Sequence, residues 1–401
     1  MSHGQLLLYL FRLPVMERAA TPLPAMSPVK PALDHLRWIA AFAVVFQHAR
    51  SLILVDYSPG VGLLAKALYF VTGFSHEAVI IFFVLSGYLV GGKAIRLAQG
   101  STEDQRARFV VDRFVRIFIV LLPALAITAL VALLAPPVPV IASDNWGADI
   151  PNAVATSTAA AWLGTTFLVN EIVTRTTPYD GALWSLAYEW TYYVLAAAAL
   201  FIAALDRRPL AVLLYLYAAA LLLLCALLAP LVLAMGLFWI AGALASQLRR
   251  VDHPYLTVAA FLAILLATRF DLVGPFVEDA LVAASTALLI ADRSVQRLTL
   301  WQRPGVYLAS FSYSLYAIHW PLMLGAVAAV QASGLLPQRL PPGMVAYASI
   351  AALIILAYAA SMLFASFTEQ QTGRLKNLII KSRSSSISPN PRGAAVTPPP
   401  P

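Results

Sequence analysis

The chain has 401 residues, of which 60% are hydrophobic and only 11% are charged, whereas soluble domains usually carry about 25% charged residues. This composition excludes an ordinary soluble domain, because a soluble core could not bury so much apolar surface. The net charge of +8 does not indicate nucleic-acid binding, because the Lys and Arg residues fall in short loops between apolar stretches, as in membrane proteins.

Long uncharged runs predict transmembrane helices along most of the chain. Pro209–Leu228, for example, matches the roughly 20 apolar residues that cross about 30 Å of hydrocarbon. Lipid cannot satisfy open sheet edges, so an all-α bundle is predicted. About ten spans are expected, at residues 36–55, 77–92, 114–134, 183–205, 209–228, 231–246, 255–267, 275–291, 305–330 and 344–367. The segment 61–74 is too short for a secure crossing and is predicted to be an interfacial helix.

The composition divides the chain into three predicted regions. Residues 1–32 form an N-terminal cytoplasmic arm, and residues 33–380 form the transmembrane domain. Residues 381–401 are rich in Ser and Pro, which is typical of a disordered tail. The single cysteine, Cys225, excludes an internal disulfide.

The distribution of basic residues predicts which loops face the cytoplasm. When loops are assigned alternately to the two sides, every short basic loop falls on the same side. The longest loop of the opposite set, residues 135–182, has Arg175 as its only cation. Both termini are therefore predicted to be cytoplasmic, which requires an even number of spans.

Ionisable side chains inside spans are costly and are therefore functional candidates. In the first span, Arg37 and His48 are eleven positions apart, so they share one helical face and lie about 16 Å apart along the axis. Arg37 is predicted near the cytoplasmic surface and His48 deep in the bundle. The alternative interpretations are a snorkelling arginine and a hydrogen-bonded structural histidine.

Further polar residues fall at depths similar to that of His48 on other spans. Ser86 lies in the second span, Glu189 in the fourth and His319 in the ninth. Four such residues on four helices predict a polar cavity inside the bundle.

Two arginines, Arg113 and Arg116, open the third span and are neighbours on a helix. With Arg37 they could bind an anionic ligand, since arginine binds phosphate through a planar fork of donors, or they could anchor the protein at lipid headgroups. Tyr188 belongs to an aromatic segment that suits either sugar stacking or an interfacial belt. The sequence shows no metal-ligand cluster, Gly-rich phosphate loop or nucleophile elbow.

Five segments, in this order, resemble motifs of the membrane-bound acyltransferase 3 family. They are LDHLRWIAAFAVVFQH at residues 33–48, FFVLSGYLV at 82–90, DRFVRIFIVLLPA at 112–124, LWSLAYEWTYY at 183–193 and SYSLYAIHWPLM at 312–323. The resemblance covers about residues 33–380. The chain departs from the family pattern at His35 and Trp38, which replace glycines, and at Trp190, where many members carry a second glutamate.

The resemblance implies a membrane O-acyltransferase of the bacterial cytoplasmic (inner) membrane. Such an enzyme moves an acyl group, with acetyl expected, from cytoplasmic acyl-CoA to a hydroxyl of a cell-surface or exported glycan. The expected partners are the lipid bilayer, acyl-CoA and a glycan or lipid-linked glycan, with no nucleic acid, and no bound cofactor or metal is expected.

The resemblance also implies roles for individual residues. His48 is the implied catalytic residue, as general base or as transient acyl carrier. Glu189 is predicted to orient His48 or to contact the acceptor. The implied donor-binding residues are Arg37, Arg113 and Arg116, and the further candidate cavity residues are Asp34, Ser86, Tyr188 and His319.

Two other classes of function remain open at this stage. A transporter or flippase of a lipid-linked sugar would also use a polar cavity at the midplane, but its activity would not be expected to depend on CoA. A non-catalytic membrane scaffold would use its buried ionisable residues for stability alone.

Overall fold

The computed structural model describes residues 31–135, 157–248, 251–297, 302–337 and 339–385. Within these ranges the chain is helical throughout apart from turns and loops, and β-pairing is limited to isolated bridges, such as that between Leu54 and Leu340. The predicted all-α fold is confirmed. Most of the predicted N-terminal arm, most of the predicted tail and much of the long outer loop lie outside the described residues.

The helices are named here in chain order. They are α1 (Pro31–Ile53), α2 (Leu63–Val71), α3 (Ser75–Ser86), α4 (Gly92–Ala98), α5 (Glu103–Leu134), α6 (Ala159–Thr166), α7 (Trp184–Ala203), α8 (Pro209–Leu228), α9 (Pro230–Ala245), α10 (Pro254–Ala267), α11 (Pro275–Ala291), α12 (Arg293–Gln296), α13 (Gln302–Ala309), α14 (Ser312–Ala332), α15 (Met344–Phe367) and α16 (Thr372–Ser385). Short 3-10 turns occur at Thr72–Phe74, Pro178–Leu183, Thr268–Phe270 and Glu369–Gln371, and a π-helix occurs at Gly87–Gly91.

Local sequence explains where several helices begin. Helix α5 starts with a capping box, in which the Thr102 side chain accepts from the Gln105 backbone N–H and the Gln105 side chain accepts from the Thr102 backbone N–H. Helices α8 to α11 each begin with proline, whose missing N–H and fixed φ suit the first helical position. These signals agree with the predicted starts to within a residue or two for α8 to α11.

Six segments of the described chain are long and apolar enough to cross a membrane. They are Leu63–Ala98, Glu103–Leu134, Pro178–Ala203, Pro209–Leu228, Ser312–Ala332 and Met344–Ile380. The apolar helices Pro230–Ala245 and Pro254–Phe270 are shorter. Helix α1 has 23 residues, but polar side chains such as Arg37 and His48 lower its hydropathy. The predicted number of about ten spans is therefore not confirmed.

Two predicted boundaries differ from the structure. The segment predicted as a separate interfacial helix runs through α2 and a 3-10 turn directly into α3, so that Leu63–Ala98 is one helical segment of 36 residues. The predicted ninth span is divided into α13 and α14, because Phe311 adopts a non-helical conformation with φ of −126° and ψ of 13°. His319 therefore lies in the first half of α14.

Contacts between helices define their relative directions. Helices α1 and α5 place Arg37 and Arg116 at the same end of the bundle, which we call the arginine end. His48 and His319 lie towards the other end, the histidine end. Helices α1, α5 and α14 run from the arginine end to the histidine end, whereas α3 and α7 run back. These directions agree with the predicted alternation of spans, and the side of the membrane on which the termini lie remains a prediction.

A close approach of backbones fixes α9 against the π-helix. A β-carbon at Gly87 would collide with the Trp239 carbonyl oxygen, and one at Gly242 would collide with the Val84 carbonyl oxygen. Glycine at both positions lets the two helices pack this closely, as small residues do between membrane helices. The π-helix begins directly after Ser86, and π-helical segments frequently occur at functional sites.

Candidate active site

His48 on α1 and His319 on α14 face each other inside the bundle. The Nδ1 atom of His48 lies 2.9 Å from the Nε2 atom of His319, and the two rings are nearly parallel, with an interplanar angle of 9°. Both side chains are buried. Trp320 packs edge-on against the His48 ring. These two histidines, for which the sequence predicted similar depths, are direct partners.

Hydrogen bonds around His319 indicate which ring nitrogens carry protons. The Nδ1 atom of His319 lies 3.0 Å and 2.8 Å from the carbonyl oxygens of Leu315 and Tyr316, which can only accept. This nitrogen is therefore the N–H donor, and Nε2 of the neutral ring is the acceptor. The contact then requires His48 to donate through Nδ1, which leaves the basic lone pair of neutral His48 on Nε2.

A small cavity adjoins the His48 side chain. Its volume is about 10 Å³, which is room for about one water molecule. Its lining residues are Val44, His48, Ser75, Val79, Ala182, Trp184 and Tyr316. The Tyr316 hydroxyl donates to the Ala182 carbonyl oxygen, so it accepts from the Ser185 hydroxyl at 2.7 Å. In this conformation the cavity admits a hydroxyl group, and it must widen to admit a sugar ring.

Ser86 and Glu189 form a second buried polar contact. The Ser86 hydroxyl donates to Glu189 Oε1 at 2.6 Å, and the Tyr193 hydroxyl donates to the same oxygen at 2.5 Å. Trp239 Nε1 donates to Ser86 Oγ at 3.2 Å, which links this contact to the close packing of α9. The carboxylate of Glu189 is thus held by two hydroxyl donors.

The partner at Nδ1 of His48 is His319, whereas Glu189 was predicted either to orient His48 or to contact the acceptor. The described contacts of Glu189 run to Ser86 and Tyr193 instead. Contact with an acceptor, the other predicted role of Glu189, stays a prediction.

The predicted donor-binding arginines meet at the arginine end. Arg116 Nη2 lies 4.0 Å from Glu369 Oε1, and Arg37 lies within electrostatic range of both residues. The Ser314 backbone N–H and hydroxyl donate to Glu369 Oε2 at 3.0 Å and 3.1 Å. The Arg113 guanidinium lies over the Tyr193 ring, 5.8 Å from its centroid.

Arg113 also carries a buried polar atom that lacks a partner. Its Nε atom makes no hydrogen bond to any described residue. Buried N–H groups are almost always paired, so such an atom calls for an explanation. A ligand at this position would supply the missing acceptor.

Polar side chains connect the two ends of the bundle through its interior. On α7, Ser185, Glu189 and Tyr193 follow one another at intervals of four residues and therefore lie on one face. Tyr193 contacts Arg113 at the arginine end, and Ser185 contacts Tyr316 beside the histidines. We call this arrangement of side chains, from Arg116 to His48, the polar column. Arg37 and His48 mark its length, about 16 Å along α1.

Two predicted cavity residues take different positions. Asp34 forms an ion pair with Arg37 at 3.4 Å and therefore belongs to the arginine end. Tyr188 is buried in aromatic packing, near-parallel to Phe83 and edge-on to Trp184.

The sequence analysis missed Glu369, which follows the last span, and the pairing of Ser185 with Tyr316. Glu369 could have been recognised as a site candidate because its carboxylate comes directly after an apolar span. Spacing of four residues between Ser185, Glu189 and Tyr193 was a signal for a polar face on α7. Among the described residues no group of three or more His, Cys, Asp or Glu side chains could hold a metal ion.

The fold and this site define a multi-pass membrane protein with a polar column running between a basic cluster and a pair of buried histidines. The family model described as an acyltransferase domain matches residues 30–366. The chain therefore belongs to the acyltransferase 3 family, and it is a membrane acyltransferase. No curated protein and no solved structure matches the chain.

Proposed function

We propose that this protein is an O-acyltransferase of the bacterial cytoplasmic membrane that uses cytoplasmic acyl-CoA, with acetyl-CoA as the expected donor. The acceptor is a hydroxyl group of a cell-surface or exported glycan. The polar column carries the proposal, because it connects a cluster suited to phosphate groups with a histidine suited to proton transfer.

The donor is proposed to bind with its phosphates at the arginine end. Arg37, Arg113 and Arg116 supply guanidinium groups, which pair with phosphate oxygens through two parallel hydrogen bonds. The pantetheine arm would then extend along the polar column and present the thioester to His48. The unpartnered Nε atom of Arg113 supports this placement.

His48 is proposed to act as general base through Nε2. The acceptor hydroxyl gives its proton to this nitrogen while its oxygen attacks the thioester carbonyl carbon, and a carbon–oxygen bond forms. The carbon–sulfur bond then breaks, and the proton on His48 passes to the departing CoA thiolate. The hydrogen bond from Nδ1 to His319 keeps the basic lone pair of neutral His48 on Nε2, before the attack and again after the proton has passed to the thiolate.

Replacing His48 with alanine tests this mechanism. The acceptor is alkali-deacylated surface glycan of the source bacterium, and transfer is measured as radioactivity passing from labelled acetyl-CoA to the glycan. General-base catalysis contributes about 10²–10⁴-fold, so His48→Ala should lose transfer by at least that factor. Acetyl-CoA binding, measured by calorimetry on purified protein, should remain, because the arginines are intact.

His76 provides a matched control. It is also a histidine with a side-chain partner, Asp279 at 2.7 Å, but neither residue belongs to the polar column. His76→Ala should retain transfer. Full transfer by His48→Ala would overturn the mechanism, and glycan translocation without acetyl-CoA consumption would favour a flippase.

A further inference from the structure

A carboxylate near the arginine end holds two lysines from different helices. Lys93 on α4 donates to Asp112 Oδ2 at 3.1 Å, and Lys376 on α16 lies 2.7 Å from Asp112 Oδ1. The Asp112 side chain is 10% exposed, whereas Lys93 and Lys376 are 40% and 33% exposed. The Asp112 carboxylate is therefore largely buried in the protein, whereas the Lys93 and Lys376 side chains are partly exposed at its surface.

This trio continues the polar column outward by one helical turn. Asp112 and Arg116 are four residues apart on α5, so they share a face and lie about 6 Å apart along the axis. Helix α16, which carries Lys376, packs along α5 and begins directly after the 3-10 turn that contains Glu369. The two lysines thus lie beyond the arginines, farther from His48.

The charges of the trio do not balance. One carboxylate neutralises one of the two ammonium groups, which leaves a net charge of about +1. Each ammonium group has three N–H donors, and the contact with Asp112 uses one of them. Both lysines can therefore donate hydrogen bonds to an additional anion while they keep their contacts with Asp112.

We propose that Lys93 and Lys376, held together by Asp112, form a second anion subsite that binds the 3′-phosphate of the acyl-CoA donor. This inference rests on the proposed function. Acyl-CoA carries a pyrophosphate and, on its ribose, a separate phosphate monoester, so its two anionic groups suit two separate basic clusters. The arginines bind the pyrophosphate nearer the thioester, and the lysines bind the monoester beyond it.

Two other roles for the lysines give different results in the same experiment. A purely structural clamp between α4 and α16 would affect stability but not discrimination between donors. A site for lipid phosphate would depend on the charge of the surrounding lipid, because anionic headgroups attract lysines near the membrane surface.

The test measures dissociation constants for acetyl-CoA and for 3′-dephospho-acetyl-CoA. The full chain is placed in nanodiscs of phosphatidylcholine, with or without phosphatidylglycerol, and studied by calorimetry. The variants are Lys93→Gln and Lys376→Gln. The control is Lys66→Gln, which removes an exposed lysine near the other end of the segment Leu63–Ala98.

We expect wild-type protein to bind acetyl-CoA about tenfold more tightly than the dephospho compound in both lipids. Each lysine variant should bind acetyl-CoA more weakly but the dephospho compound as wild type does, so that most of the preference is lost. Lys66→Gln should keep the preference. Equal binding of both donors by wild type, or an effect of the variants confined to phosphatidylglycerol discs, would overturn the subsite. Failure of wild type to bind either donor would instead refute the proposed function.

Discussion

Replacing His319 with leucine tests how the histidine pair works. His319 is fully buried, and its Nε2 atom accepts the Nδ1–H of His48. Leucine fills much of the same space but offers no acceptor, so His48 retains its ring and loses its partner. His319 is proposed as a positioning residue that acts through His48 and does not touch the substrates.

The size of the effect follows from the lost hydrogen bond. A buried donor left without its partner costs about 1–3 kcal/mol. If that energy is lost in the transition state, transfer slows by about 5- to 150-fold, because each factor of ten in rate corresponds to about 1.36 kcal/mol. The effect should be smaller than that of His48→Ala, in which the base itself is removed.

The assay separates positioning from a general loss of structure. We expect kcat for acetyl transfer to the deacylated glycan to fall in His319→Leu, while KM for acetyl-CoA stays within about twofold. His319→Gln should recover part of kcat, because the glutamine side-chain oxygen can accept from His48 Nδ1. Wild-type kcat in a folded His319→Leu protein would refute the assigned tautomer, and equal losses in the leucine and glutamine variants would indicate a packing role.

Further predictions concern the arginine end and the packing of α9. Glu369→Gln should tighten acetyl-CoA binding severalfold by calorimetry, because its carboxylate occupies Arg116 and repels phosphate; weaker binding would show that Glu369 organises the site. Gly242→Ala should lower the melting temperature, because its new methyl group collides with the Val84 backbone, at a cost of about 1–3 kcal/mol. Gly181→Ala, where no atom lies within 4 Å of the added carbon, should melt as wild type does, and equal melting of both variants would contradict the close packing.

Much of the fold and the similar depths of several site residues could be predicted from periodicity and helical rise. Helix boundaries at α8, α11 and α15 agree with those read from the apolar runs. The depth estimate placed His48, His319, Ser86 and Glu189 at similar depths, and the structure pairs His48 with His319 and Ser86 with Glu189. Such an estimate uses only the rise per residue along each helix, and this quantity is nearly independent of tertiary structure.

What could not be predicted is the direction in which each side chain points around its helix. Four residues assigned to similar depths form two separate contacts, with Ser185 and Tyr316 between them. Two residues at the same depth can be in direct contact or can point away from each other, and depth alone does not distinguish these cases. Local conformation at Phe311, which interrupts the ninth predicted span, depends on packing and is likewise invisible in hydropathy.

The pairing of cations with carboxylates explains how a membrane protein can keep a basic site ready for a polyanion. An isolated charge within the bilayer is costly, and Arg37, Arg116 and Lys376 each lie beside an acidic partner, namely Asp34, Glu369 and Asp112. The two arginine pairs are loose, at 3.4 Å and 4.0 Å, and all three pairs leave guanidinium or ammonium donors unused. A phosphate can therefore take up those donors without exposing an unpaired cation to lipid. The same arrangement makes donor affinity sensitive to each carboxylate, so that Glu369→Gln and the lysine variants should shift binding in opposite directions.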